Sequence, residues 1–320
     1  MKRIGVLTSG GDSPGMNAAV RAVTRFGIAR GLRVYGIYRG YEGLIDGDIE
    51  ELERRDVGDI LQRGGTMLKT ARSERFMTEE GRRKALTTIE TFGLDAIVVI
   101  GGNGSFTGAL ALSKLGVNVM CIPGTIDNDL GYTETTIGFD TAVNTVLDAI
   151  TRVRDTSSSH ERTTVIEVMG RHCGDIALYS GIAGGAEAVL LPEDPCSVKE
   201  VCRRILEGSR KGRQHSIIIK AEGYPMESQD LVKEISDRTG RPVRLVVLSY
   251  IQRGGSPSLQ DRMLATRCAD KAMELLESGA SNMAIGQKDG KVVGIDLEEA
   301  LAEEGKFDQH LYECVHLLSL

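Results

Sequence analysis

Residues 123–129 read P-G-T-I-D-N-D, just after the apolar run Val117–Ile122. This places Asp127 and Asp129 close together on a loop. A strand ending in Pro-Gly opens into a loop at its carboxyl end, where open α/β sheets bind ligands. There, the hydroxyl of Thr125 and two carboxylates can bind a polar substrate, take a proton and hold a metal. The plain alternative is an Asx-rich turn, because Asp and Asn cap turns routinely.

Two glycine-rich stretches add to this pair. The apolar run Ile4–Thr8 leads into Ser9-Gly10-Gly11-Asp12, and Met16–Arg30 then has helical spacing of Ala18, Ala19, Ala22 and Val23. A second apolar run, Ala96–Ile100, leads into Gly101-Gly102-Asn103-Gly104-Ser105 and a helical pattern over Phe106–Leu115. Strand, glycine loop and helix N-terminus together present backbone N–H groups to phosphate. Neither loop is a Walker A motif or a full G-x-G-x-x-G fingerprint. Glycines at such a junction also make ordinary tight turns. Two such loops and an Asp pair on a third strand end point to a nucleotide or sugar-phosphate site.

The rest of the chain alternates short β-type runs with helical patterns. The β-type runs are Arg33–Tyr38, Thr163–Val168, Ala188–Leu191, Ser216–Lys220 and Leu245–Tyr250. The helical ones are Thr78–Thr91, Asp140–Arg154, Ser197–Lys211, Ser228–Thr239, Leu259–Glu277 and Leu297–Glu304. This alternation predicts an α/β fold with mostly parallel sheets covered by helices. Composition marks no domain boundary.

The motifs run in a characteristic order: L-T-S-G-G-D-S-P-G-M-N (7–17), R-G-G-T (63–66), T-A-R (70–72), G-G-N-G-S (101–105) and P-G-T-I-D-N-D (123–129). R-D-T-S-S-S-H (154–160), V-M-G-R (168–171) and I-Q-R-G-G-S-P (251–257) follow. Over nearly its whole length the chain resembles the bacterial ATP-dependent 6-phosphofructokinases. The resemblance implies two Rossmann-like three-layer α/β/α domains. Residues 1–138 plus 251–300 would form the larger, ATP-binding one, and 139–250 plus 301–320 the smaller, sugar-phosphate-binding one. It implies phosphoryl transfer from ATP to the 1-hydroxyl of fructose 6-phosphate, with Mg2+, in a cytoplasmic homotetramer.

Carried over residue by residue, Asp127 is the base, assisted by Thr125, Asp129 and Arg171, and Arg72 neutralises the transferring phosphate with its planar fork. Gly11, Arg72, Ser73, Gly102, Asn103, Gly104 and Ser105 bind ATP. Thr125, Ile126, Asp127, Arg162, Met169, Gly170, Arg171, Glu222, Arg244, Tyr250 and Arg253 bind the sugar phosphate, with Arg162 and Arg244 supplied by a neighbouring subunit. Magnesium falls to Asp129 through water and, weakly, to Asn103. Arg21, Arg25, Arg54, Asp59, Arg154, Gly185, Glu187, Lys211 and Arg213 match positions that bind ADP or phosphoenolpyruvate as effectors. Lys211 and Arg213 look like an exchange of Arg and Lys, which is not neutral for bidentate phosphate binding.

Two positions depart from the pattern. Asn103 stands where the family has Asp, so one negative charge beside a hard cation is lost. Tyr250 stands where the family has His, and a phenol cannot become a cation near neutral pH. Lys69 and Lys220 are also unusual, each either a surface charge or a new phosphate contact. These departures leave open a kinase for another sugar phosphate, or a catalytically weak regulatory paralogue. Gly104 and Gly124 argue against the pyrophosphate-dependent enzymes of the superfamily, which usually carry Asp and Lys there.

Composition suits a cytosolic enzyme. The chain has 320 residues, 41% apolar and 26% charged, with a formal net charge of −6. That charge predicts no nucleic-acid or anionic-membrane partner, and no apolar run approaches a membrane span. The N-terminus, Met1-Lys2-Arg3 running into a strand, has no signal-peptide character. Six cysteines without a C-x-x-C pair predict reduced, mostly buried thiols, and the histidines show no zinc spacing with them.

Overall fold

In chain order the elements are β1 (Arg3–Thr8), α1 (Met16–Ala29), β2 (Arg33–Ile37), α2 (Gly40–Asp46), β3 (Ile49–Leu52), α3 (Glu74–Met77), α4 (Glu79–Phe92), β4 (Ala96–Gly101), α5 (Asn103–Ser113), β5 (Val119–Thr125) and β6 (Ile137–Gly138). They continue with α6 (Phe139–Ser159), β7 (Thr163–Val168), α7 (Asp175–Ala183), β8 (Ala188–Leu190), α8 (Val198–Arg210), β9 (Ser216–Ala221), α9 (Ser228–Thr239), β10 (Val243–Val247), a 3-10 turn (Ser249–Arg253), α10 (Leu259–Glu277), β11 (Met283–Lys288), β12 (Lys291–Asp296), α11 (Leu297–Ala302) and α12 (Gln309–Leu318). The computed structural model describes residues 1–194, 196–305 and 307–318, apart from the side chain of His316.

The chain divides into two compact units. The first comprises Met1–Ile126, Leu130–Thr141 and Arg253–Gly305. It holds an eight-stranded sheet in the order β12-β11-β5-β4-β1-β2-β3, with β6 beside β5. Among the described residues, only its β2–β3 and β11–β12 pairs are antiparallel. Strands such as β4 and β5 are buried along their length, as expected for a sheet covered on both faces. One core joins Val6, Val98, Ile100 and Ile122 to α1 and α10. The other joins Leu7, Val99 and Cys121 to α2, α4, α5 and α11. The second unit comprises Asp127–Asp129, Ala142–Gln252 and residues 307–318. Its four-stranded sheet, β10-β7-β9-β8, is parallel throughout.

Three differences from the sequence reading bear on function. Helix α5 begins at Asn103, not Phe106, because Gly102 is its extended N-cap and its carbonyl accepts from the Ser105 and Phe106 N–H groups. The G-G-N-G-S stretch is therefore mostly a first helical turn. Strand β5 continues through Pro123 to Thr125, because Gly124 and Thr125 pair with β6 and the Thr136 hydroxyl donates to the Thr125 carbonyl. Tyr250 lies on the 3-10 turn after β10 rather than on a strand. Ser249 there adopts a left-handed φ of 46° that ends the extended run.

Candidate functional site

In the first unit the two glycine loops press against each other. The Ser9 N–H donates to the Ile100 carbonyl at 3.0 Å. A Cβ on Gly101 would meet Ser105 Oγ at 2.5 Å and the Ser9 carbonyl at 2.7 Å, so only glycine allows this approach. The N-caps of both following helices, Gly15 and Gly102, supply no side-chain acceptor. The first N–H groups of α1 and α5 thus lack a side-chain cap, and helix N-termini favour anions. Asn103 and Gly104 are exposed on α5, whereas Ser105 is buried and its carbonyl accepts the Tyr41 hydroxyl at 2.5 Å.

The R-G-G-T segment is fastened to the first loop. Buried Asn17 donates to the Arg63 and Gly64 carbonyls, both at 3.2 Å, and accepts from the Met67 N–H at 2.7 Å. Thr8 donates to the Lys69 carbonyl at 2.9 Å, and Thr70 donates to the Gly10 carbonyl at 2.8 Å. Arg72 follows, exposed and, among the described residues, without an ion pair. Neither Glu74 nor Asp59 engages it. Ser73 instead caps α3, accepting from the Phe76 N–H at 3.1 Å, and donates to the Glu42 carboxylate. Arg253 lies in this unit against the first loop: a Cβ on Gly11 would meet its Nη1 at 3.1 Å. Thr125 and Ile126 complete the unit's contribution at the end of β5.

In the second unit Asp127 is 4% exposed, and Arg171 Nε lies 3.3 Å from its Oδ2. Arg171 takes a left-handed φ of 53° at the turn after β7. Glu222 Oε1 accepts the Gly170 and Arg171 N–H groups at 3.2 and 2.7 Å, which holds that turn. The Met169 N–H donates to Oε1 of fully buried Gln252 at 3.1 Å, and Gln252 donates on to the Ser249 carbonyl at 3.0 Å. Asn128 donates to Asp175 at 2.8 Å. These bonds explain why Asp127–Asp129 clusters with the second unit. Burial raises the pKa of Asp129, with Arg171 and His172 pulling the other way. Among the described residues its buried Oδ1 has no hydrogen-bond partner, and an unoccupied carboxylate oxygen suits a hard cation or its water.

The structure therefore gathers Asp127, Asp129, Met169, Gly170, Arg171 and Glu222. It does not bring Arg162 and Arg244 to them. Arg162 immediately precedes β7 and Arg244 pairs with Thr164, so both sit at the amino end of these strands. With β7 six residues long, that end is roughly 20 Å from Arg171. Tyr250 is 74% exposed. Lys220 is not a surface charge. It is 2% exposed, and its Nζ pairs with Glu167 at 3.3 Å.

The expected effector residues fall into two groups. On α1, Arg21 has its pKa lowered by burial and then by neighbouring Arg25, whose Nη2 donates to the Arg54 carbonyl at 3.4 Å. Arg54 and Asp59 are exposed beside the following turns. In the second unit Arg154 donates to the Gly184 and Gly185 carbonyls, both at 2.7 Å. Arg154 and Arg213 flank buried Glu187 at 4.0 and 3.8 Å. Lys211 is exposed at the end of α8. Asn17, Gln252 and Tyr41 are the supports the sequence reading missed. The first two stood inside quoted motifs, but nothing in their spacing named their partners.

The family model described as phosphofructokinase matches residues 3–276. A Clostridium botulinum protein named ATP-dependent 6-phosphofructokinase is 56% identical over 319 residues, covering 100% of both chains. Among solved structures, phosphofructokinase from Saccharomyces cerevisiae superposes with a TM-score of 0.91 at 34% identity, over 98% of this chain and 50% of that one. That of Pichia pastoris in the T-state gives 0.90 at 38%, over 94% and 35%. The chain thus spans half the yeast chain or less, but the full length of the clostridial relative.

Proposed function

As a member of the phosphofructokinase family, to which its match over residues 3–276 and its full-length relatives assign it, the chain is, we infer, an ATP-dependent 6-phosphofructokinase. It transfers the terminal phosphoryl group of ATP to the 1-hydroxyl of fructose 6-phosphate, giving fructose 1,6-bisphosphate and ADP. The full-length identity does not favour a regulatory paralogue or another sugar substrate. The observation that carries the chemistry is the buried Asp127 carboxylate held by Arg171 one residue beyond Ile126, at the exit of β5.

Phosphoryl transfer needs positioning and charge stabilisation more than covalent chemistry. Asp127 accepts the proton of the attacking hydroxyl, and the Arg171 guanidinium fixes its orientation. Met169, Gly170 and Glu222 shape and bind the sugar. One Glu222 oxygen already holds the 170–171 turn, so its second oxygen is the one for a sugar hydroxyl. Arg253 and the Tyr250 phenol are assigned to the sugar phosphate in this reading. Arg162 and Arg244 serve a neighbouring subunit, which accounts for their distance from Asp127 and makes the enzyme a symmetric oligomer, here assigned as a homotetramer.

On the donor side, Gly11, Gly102, Gly104 and Ser105 receive the ATP phosphates. Arg72, without a carboxylate partner among the described residues, neutralises the group in flight. Ser73 contributes through α3, which it caps. Magnesium fits the oxygen donors present: Asp129 would hold it through water, and the Asn103 amide weakly. When bound, it neutralises phosphate charge. ADP or phosphoenolpyruvate would bind the arginine groups built on Arg21, Arg25, Arg54 and Asp59 and on Arg154, Gly185, Glu187, Lys211 and Arg213. We assign the enzyme to the cytoplasm.

Asp127→Ser tests the reading in a coupled assay with ATP, magnesium and fructose 6-phosphate. Loss of a general base lowers kcat by about 10²–10⁴-fold, while sugar-phosphate binding measured directly stays within a few-fold. A variant that keeps most of its turnover would remove Asp127 from the role.

A further inference from the structure

We propose that Asp261 is a positioning residue of this reaction. Its carboxylate fixes the two-residue strand β6, and β6 sets Thr125, two residues before Asp127 along the chain. The proposal rests on the reading of Asp127 as the base.

Asp261 stands in the first turn of α10 and is 1% exposed. Its Oδ1 accepts the Gly138 N–H at 2.8 Å. Its Oδ2 accepts the Thr141 N–H at 2.9 Å and the Thr141 hydroxyl at 2.5 Å. The Ser258 N–H donates to the same hydroxyl at 2.9 Å. One buried carboxylate thus gathers three donors from the β6–α6 junction. It has no cationic partner among the described residues, so these three hydrogen bonds are what offset the cost of burying the carboxylate. A junction that needed only packing would be served by an apolar side chain.

Strand β6 is held on two further sides. Ile137 and Gly138 pair with Gly124 and Thr125, and the Thr136 hydroxyl donates to the Thr125 carbonyl at 2.6 Å. Ser13 of the first glycine loop donates to the Ile137 carbonyl at 2.9 Å. Gly138 has φ 108°, and a Cβ there would meet Ser13 Cβ at 2.6 Å, so the loop rests directly on this strand. A displacement of β6 is therefore passed to the strand end that precedes the base, while Ser13 anchors the other edge of β6.

Asp261→Asn is the sharp variant. An amide keeps the shape but turns an N–H₂ toward one of three donors. The expected result is a loss of kcat of about 10- to 100-fold, the scale of an ångström misplacement, with KM for ATP and the melting midpoint little changed. Thr136→Val, which removes the hydroxyl on the Thr125 carbonyl, reproduces the kcat loss. The double variant loses less than the product of the two, because both act through one segment. A folded Asp261→Asn enzyme with parental kcat overturns the proposal, as do losses that multiply. If Asp261→Asn does not fold, Thr136→Val decides: lower kcat in a stable protein supports positioning, and parental kcat overturns it. Asp127→Ser, assayed alongside, separates the two ideas. If it retains turnover, the base reading fails and the positioning role with it. If it is inactive while the other two variants match the parent, only the positioning role fails.

Discussion

Replacing Asn103 by Asp restores one carboxylate at the first residue of α5, and its consequences can be worked from the geometry. The side chain is exposed and the N-cap, Gly102, offers no side-chain acceptor. A carboxylate at this position meets the positive end of the helix dipole, which stabilises the free protein by about 0.3–1 kcal/mol. A magnesium ion held through water at a separation of about 5 Å would add a second term. With solvent screening, a unit charge and a divalent ion at that distance attract by about 1–2 kcal/mol. That is roughly tenfold in an equilibrium constant. The new charge also repels ATP phosphates, by a similar amount where the metal does not lie between them.

The expected outcome is a roughly tenfold fall in the magnesium concentration giving half-maximal rate, measured at saturating ATP and fructose 6-phosphate, with higher turnover. KM for ATP at saturating magnesium should change little, and the melting midpoint without ligands should rise slightly. The competing arrangement has Lys69 replacing part of the metal's charge. Its backbone is held in a left-handed conformation, φ 58°, with its carbonyl bonded to Thr8, so its side chain leaves from a fixed point. Under that arrangement Asn103→Asp raises the melting midpoint but leaves the magnesium titration unmoved. That pair of results would refute the metal role of residue 103 while confirming that the carboxylate reached the helix end.

Gly104→Asp meets no atom within 4 Å, so it tests charge without a clash; KM for ATP should rise with a melting midpoint that does not fall, and an unchanged KM would remove Gly104 from the donor side. Lys220→Met leaves Glu167, which also accepts the Ser228 hydroxyl, partly buried opposite a neutral side chain and should cost about 3 kcal/mol in urea unfolding; a variant as stable as the parent would show that Ser228 alone satisfies Glu167. The Glu200 carboxylate is held near pKa 2, chiefly by hydrogen bonds from Arg203, with Arg204 adding to it. A depressed folded pKa gives stability that is full above the ordinary value of 4.5 and fades as pH falls toward 2. The melting-point difference between the parent and Glu200→Gln should therefore shrink across that window, and a difference that grows on acidification would be inconsistent with the pairing.

What the sequence disclosed and what it withheld follow from range. Helices α9 and α10 could be bounded to the residue, because caps and apolar spacing are local: Ser258 accepts from the Asp261 N–H, and Gly240 closes α9 in a left-handed conformation. Helix α5 started three residues early because nothing in N-G-S announces a helix; its first turn is set by Gly102 at the end of a strand that pairs elsewhere. The two-residue β6 has no pattern at all and exists because β5, Ser13 and Asp261 each bond to it. Site chemistry divides in the same way. Asp127 stood out by type and spacing, yet the Arg171 guanidinium that pairs with it lies 44 positions along the chain, and the Glu222 carboxylate shapes the turn carrying that arginine. Lys220 shows the converse. Its charge in an apolar run was legible as an anomaly, but only the parallel register that sets Glu167 beside it turns a candidate phosphate contact into a buried ion pair. Residue type announces which chemistry is on offer, and strand register decides which partner answers it.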